Sequence, residues 1–151
     1  MHTRKSSPRS MTTKPRRNWR QMSLCRGAKM WIKTNPNPCG RYVGDCAVRA
    51  VAVALDISWE GAFDLLADAA RNMCDMPSSN SVIGAVLRMH GFRMSAVPEV
   101  CTISEFVSEH PYGTKVMFTT GHVATAIGEN VYDVWDSTNE YVQFIWYRKE
   151  R

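Results

Sequence analysis

The sequence lacks the features that build a disulfide framework or a structural zinc site. Its 151 residues include five cysteines, an odd number, with no Cys-x-x-Cys pair and no histidine at zinc-finger spacing. No apolar run approaches the roughly 20 residues of a membrane-spanning helix, and no basic segment precedes an apolar signal core. We therefore expect a cytoplasmic protein with reduced cysteines, no metal or other cofactor, and no membrane association.

Acidic residues are absent from the first 29 positions. Nine of the 19 Lys and Arg residues lie there, which leaves 10 basic and 14 acidic residues, a formal charge of −4, in the rest of the chain. The segment 1–29 has almost no apolar periodicity, so little apolar burial could offset its ordering entropy. We predict a disordered basic arm over 1–29 and one folded domain over 30–151. Nucleic-acid binding through the arm is one alternative function.

Helical patterns dominate the first half of the domain. The segment Cys46–Leu55 (CAVRAVAVAL) follows Gly44 and Asp45, a good N-cap residue, and is apolar on nearly every side. This pattern favours a buried helix, although a buried strand is the alternative. Further predicted elements are a helix beginning after Ser58 and extending to about 72, a helix at 77–90, a strand at 92–97 and a helix at 102–110.

Strand patterns replace the helical spacing from Lys115 onward. Four segments rich in β-branched and aromatic residues are predicted as strands, at 115–119, 122–127, 131–135 and 141–147. Helices followed by an antiparallel meander indicate an α+β fold, with the helices packed on a C-terminal antiparallel sheet.

Cys46 occupies the position that best suits a nucleophile. The N-terminus of a helix carries partial positive charge and free N–H groups, which lower a thiol pKa and stabilise an oxyanion. The alternative interpretation is a small apolar residue in a buried helix. The other candidates, Cys39, Cys74 and Cys101, do not combine a helix N-terminus with a histidine partner.

His122 begins a predicted hairpin that contains a candidate base and its orienting group. A three-residue turn centred on Glu129 would place His122 directly opposite Asp136, within reach of an imidazole N–H, and Asp133 on the other face. The hypothesis is a triad of Cys46 as nucleophile, His122 as base and Asp136 as orienting group. A polar strand end and a turn cap are the alternatives for the last two residues.

Five motifs resemble those of papain-like cysteine peptidases, especially small bacterial and prophage-encoded proteins similar to bacteriocin leader-processing peptidases. They lie between Asn35 and Ile145: NPNP (35–38), GDCAVRA (44–50), DMPSSNSVIGAVL (75–87), GHVATAI (121–127) and YDVWDS (132–137). The resemblance implies a cysteine that begins a central helix packed on an antiparallel sheet, followed in the chain by His and then Asp or Asn. It further implies a thiol hydrolase, whether peptidase, isopeptidase or amidase, that forms a thioester with a protein or peptide substrate.

One position departs from the papain-like pattern. These enzymes usually carry an oxyanion-stabilising Gln about six residues before the cysteine, where this sequence has Gly40. We expect Asn37 to supply the amide instead, with Asn35 as the other candidate. The missing Gln also leaves open a catalytically silent papain-like fold that binds protein.

Overall fold

The computed structural model describes residues 30–149, and within them it contains four helices and six strands. The predicted basic arm lies outside the described residues. The elements, in chain order, are β1 (Trp31–Lys33), α1 (Cys46–Leu55), α2 (Trp59–Met73), α3 (Asn80–Met89), β2 (Arg93–Ala96), α4 (Ile103–Glu109), β3 (Thr114–Thr119), β4 (His122–Ile127), β5 (Asn130–Asp133) and β6 (Phe144–Arg148). The predicted α+β class is confirmed.

All six strands form one mixed sheet, in the order β1-β5-β4-β3-β6-β2. The strand β1 runs parallel to β5, and every other neighbouring pair is antiparallel. The strands predicted from 115 onward are antiparallel to one another, but the sheet as a whole is mixed rather than antiparallel. Strands β3 to β5 do form a meander, but β6 returns to pair with β3, and the short segment β1 joins the edge through a long-range pairing.

Helices cover both faces of the sheet. The larger core lies between the sheet and α1, α2 and α3, where buried residues such as Val51, Leu66 and Leu87 pack against Val116 and Trp146. A smaller core lies on the opposite face under α4 and includes Phe106, Met117 and Ile145. The sheet is thus a central layer that holds the ends of β4 and β5 in fixed positions.

The helix α1 begins at Cys46, as the sequence predicted. It is buried on nearly every side, which explains its small Ala and Val side chains. The hydroxyl of Thr125 on β4 donates a buried hydrogen bond of 2.8 Å to the carbonyl of Ala50, so the helix is tied directly to the central strands. Asp45 holds the N-cap position, but its side chain makes no capping hydrogen bond and is directed to other partners.

The length and the hydropathy of a helix together decide whether it could span a membrane. Among the helices of residues 30–149, none is long and apolar enough to cross a bilayer.

Candidate active site

Two tight turns position the strand that carries His122. Gly121 lies in the turn between β3 and β4 with φ of 70°, a left-handed conformation that glycine adopts without steric cost. Gly128, with φ of 61°, is the first residue of the two-residue turn between β4 and β5. Glycine at that position is typical of two-residue hairpin turns that match the twist of the strands.

The register of the β4–β5 hairpin differs from the prediction by one residue. Ile127 pairs with Asn130, and Thr125 pairs with Tyr132. The turn contains two residues rather than three. If the observed register is continued along both strands, His122 lies opposite position 135, two residues from Asp133. His122 and Asp133 are therefore diagonal neighbours on the same face of the sheet.

The predicted pairing of His122 with Asp136 was therefore wrong. Asp136 lies beyond the end of β5, where its carboxylate accepts hydrogen bonds from the hydroxyl and the backbone N–H of Thr138. Its alternative interpretation as a turn cap is the one that fits these bonds. The Gly-x pattern at 128–129 was the signal for a two-residue turn that could have identified Asp133.

Asp133 orients the imidazole of His122. The Nε2–H of His122 donates a hydrogen bond of 2.6 Å to Asp133 Oδ2. Ser137 donates to the same carboxylate oxygen at 2.7 Å, and the backbone N–H of Val134 donates to Oδ1 at 2.8 Å. Since the carboxylate is only 4% exposed and held by three donors, it fixes the plane and the tautomer of the ring.

Cys46 contacts the same imidazole from the start of α1. Burial raises the pKa of the Cys46 thiol, but hydrogen bonds from His122 and from the backbone N–H of Val123, together with the positive charges of His122 and Arg49, lower it by more. The net result is a pKa below the ordinary value of a thiol. Because Nε2 of His122 is bonded to Asp133, Nδ1 is the ring nitrogen left for the thiol.

The pKa of His122 moves in the complementary direction. Burial lowers it, but the hydrogen bonds to Asp133 and Cys46 and their negative charges raise it, from 6.5 to about 9. The lowered thiol pKa and the raised imidazole pKa both favour a thiolate–imidazolium pair over the neutral thiol and imidazole. This protonation state is the one that makes a cysteine nucleophilic.

Arg49 adds a buried cation that sequence reasoning did not assign to the site. One guanidinium nitrogen forms an ion pair with Asp45, and another lies 3.8 Å from Asp133 Oδ1. A single arginine in an otherwise apolar helix was the available signal, since buried charges are almost always paired.

Asn37 makes hydrogen bonds within the loop that precedes α1. Its amide nitrogen donates to Asp45 Oδ2 at 3.3 Å, and its oxygen accepts from the backbone N–H groups of Cys39 and Arg41. The other candidate amide, Asn35, donates to the carbonyl of Arg41. The oxyanion role of Asn37 stays a prediction, and its observed bonds are those of a residue that shapes a turn.

The other cysteines lack the features of an activated nucleophile. Cys39 and Cys74 are exposed, and the pKa of Cys101 is raised by burial and by nearby glutamates, which opposes nucleophilic reactivity.

Trp135 lies beside the site. It is 42% exposed, and its ring centre lies 5.0 Å from that of His122, so it covers part of the imidazole. In residues 30–149 no three His, Cys, Asp or Glu side chains gather as ligands for a metal ion.

Comparisons of this chain with protein-family models, with curated protein sequences and with solved structures find no significant match.

Proposed function

We propose that this protein is a papain-like thiol hydrolase, with Cys46 as nucleophile, His122 as base and Asp133 as orienting group. One observation carries the proposal: the imidazole of His122 is hydrogen-bonded both to Asp133, through Nε2, and to the thiol of Cys46. Thiol hydrolases use such a chain of contacts, in which an orienting carboxylate holds a base and the base activates the nucleophile. The substrate class is a protein or peptide amide, as the resemblance implies.

The first half of the proposed reaction forms a thioester. The Cys46 thiolate attacks the carbonyl carbon of the amide, and the carbonyl electron pair moves onto oxygen. The side chain of Asp45 does not bond the N–H groups at the start of α1, so these donors are available to stabilise the oxyanion. The imidazolium of His122 then donates its proton to the leaving nitrogen, the carbon–nitrogen bond breaks, and the amine departs.

The second half releases the acid. Neutral His122 takes a proton from water, whose oxygen attacks the thioester carbon, and the resulting tetrahedral intermediate expels the thiolate. The catalyst returns to the thiolate–imidazolium pair, and the products are a carboxylic acid and an amine. Throughout the cycle Asp133 holds the ring in place and stabilises the imidazolium.

Labelling of the cysteines tests the proposal without a known substrate. Brief exposure to iodoacetamide at about pH 6, followed by mass spectrometry, ranks all five thiols, and we expect Cys46 to react at least about tenfold faster than Cys39 or Cys101. The His122→Ala variant should lose most of that advantage. The matched control is His90→Ala, which removes a histidine at the end of α3. Equal rates for Cys46 and Cys39 in the wild-type protein would rule out an activated nucleophile.

A catalytically silent, protein-binding form of the same fold is the second candidate. The observation that favours it is the bond from the Asn37 amide to Asp45, since an oxyanion site lacking one donor loses about 10²- to 10³-fold in rate. An activated ester such as p-nitrophenyl acetate separates the two candidates. A hydrolase acylates at Cys46 and then turns over, whereas a silent fold acylates once, or not at all, and releases no further nitrophenol.

A further inference from the structure

We propose that Arg49 is a positioning residue for the catalytic pair, holding Asp133 of β5 against the helix that carries Cys46. The inference rests on the proposed function, because it assigns a role in activating that thiol. Its basis is the placement of one buried guanidinium between two buried carboxylates.

The guanidinium of Arg49 is enclosed by protein. The residue is 7% exposed, and Nη1 bonds the Asp45 carboxylate and the carbonyl of Val43, the latter at 3.3 Å. Nη2 lies 3.8 Å from Asp133 Oδ1, on the side of that carboxylate away from the oxygen that His122 uses. Asp133 is therefore approached by a cation at each of its two oxygens.

Asp45 is itself fixed from two other parts of the fold. The indole Nε1–H of Trp59 in α2 donates to Asp45 Oδ2 at 2.9 Å, and the Asn37 amide donates to the same oxygen. Since Asp45 cannot move freely, the guanidinium that it binds is also held in place. A side chain anchored in this way defines the distance between α1 and β5 more closely than apolar packing alone.

The ionised groups alternate in sign from the helix entry to the nucleophile. In order they are Asp45, Arg49, Asp133, His122 and Cys46, contributed by the entry to α1, α1 itself, β5 and β4. Without the arginine, the buried carboxylate of Asp45 would lose its ionic partner, and Asp133 Oδ1 would lose the nearby cation. The positive charge of Arg49 also lowers the pKa of the Cys46 thiol and so favours the thiolate.

Arg49 also retains one unused donor. Its Nε, buried with the rest of the side chain, has no hydrogen-bond partner among the described residues. A buried donor without a partner opposes stability, so packing alone would favour an apolar residue of the same size. A charge kept at that position is more consistent with a role in the site than with stabilisation of the core.

The test asks whether the positive charge at position 49, rather than the volume of the side chain, activates Cys46. Because Arg49→Met alone removes the ionic partner of Asp45, the informative variants are Asp45→Asn and the double replacement Asp45→Asn with Arg49→Met, accompanied by Arg49→Lys. We measure the rate of Cys46 alkylation against pH and expect a higher midpoint in the double variant than in Asp45→Asn, since these two differ only in the positive charge that lowers the pKa of Cys46. Arg49→Lys should keep the midpoint near that of the wild type.

Arg71→Met is the matched control, because Arg71 lies on α2 and is 81% exposed beside Asp68. It should leave the midpoint unchanged. A double variant that folds and keeps the midpoint of Asp45→Asn would overturn the inference, and so would a shift in Arg49→Lys as large as that in the double variant. If Cys46 of the wild-type protein shows the midpoint of an ordinary thiol, the proposed function fails and this inference fails with it.

Discussion

His122 and Asp133 are joined by a hydrogen bond of 2.6 Å across a hairpin in which they are diagonal rather than opposed neighbours. Ser137, in the loop after β5, donates to the same carboxylate oxygen, so the orienting group is held by more than its own strand.

The first prediction separates the two aspartates. Asp133→Asn should lower the rate of Cys46 alkylation at pH 6 by at least about tenfold, because an amide holds the ring but does not stabilise the imidazolium. Asp136→Asn should leave that rate within about twofold of the wild type, since Asp136 bonds only Thr138 among the described residues. The reverse ranking of the two variants would return the orienting role to Asp136.

The second prediction concerns the charge of His122. Its pKa of about 9 lies above the ordinary 6.5, so its contribution to folding stability is complete below pH 6.5 and is lost as the pH rises through 9. Cys46, whose pKa is lowered, behaves oppositely: its contribution is complete above the ordinary thiol pKa and is lost as the pH falls through the lowered value. Because the first contribution is complete only below pH 6.5 and the second only above the ordinary thiol pKa, no single pH gives both contributions in full.

Nuclear magnetic resonance of the His122 ring measures this charge directly. We expect titration near pH 9 in the wild type and at lower pH in Cys46→Ala, which lacks the thiolate. His122→Gln assigns the signal. A wild-type midpoint near 6.5 would contradict the raised pKa of His122.

The third prediction tests the packing of α3 on the sheet. A Cβ atom added at Gly84 would lie 2.7 Å from the buried ring of Trp146, closer than side chains approach. Gly84→Val should therefore lower the free energy of unfolding by about 1–3 kcal/mol, measured by urea denaturation. Ser81→Val, at an exposed position of the same helix, is the control and should change it by less than about 0.5 kcal/mol. Equal effects at the two positions would contradict the close packing.

The fourth prediction concerns the basic arm. A chain that begins at Met30 retains the backbone bond between Met30 and Val131 and every contact of the site. We expect its melting temperature and the alkylation rate of Cys46 to match those of the full chain, because residues 1–29 contain little apolar surface. A fall of more than about 5 °C would mean that the arm packs on the domain.

Most elements could be predicted because their signals are local. The bounds of α1 and β4 agree with the prediction, and α2 begins at Trp59, directly after its N-cap Ser58, as predicted. The strand β1 was not predicted, because a segment of three residues is too short to show an alternating apolar pattern. Its strand partner, β5, lies about 100 residues away in the chain.

The sequence by itself determined the helix that begins at Cys46, the strand that begins at His122, and therefore the two residues of the proposed pair. These depend on capping, apolar periodicity and turn residues, all of which act within a few positions. Only the tertiary structure decided which aspartate completes the site and that Arg49 lies against it. A register shift of one residue exchanges the faces of a strand, and the partner of a buried charge is set by how distant elements pack.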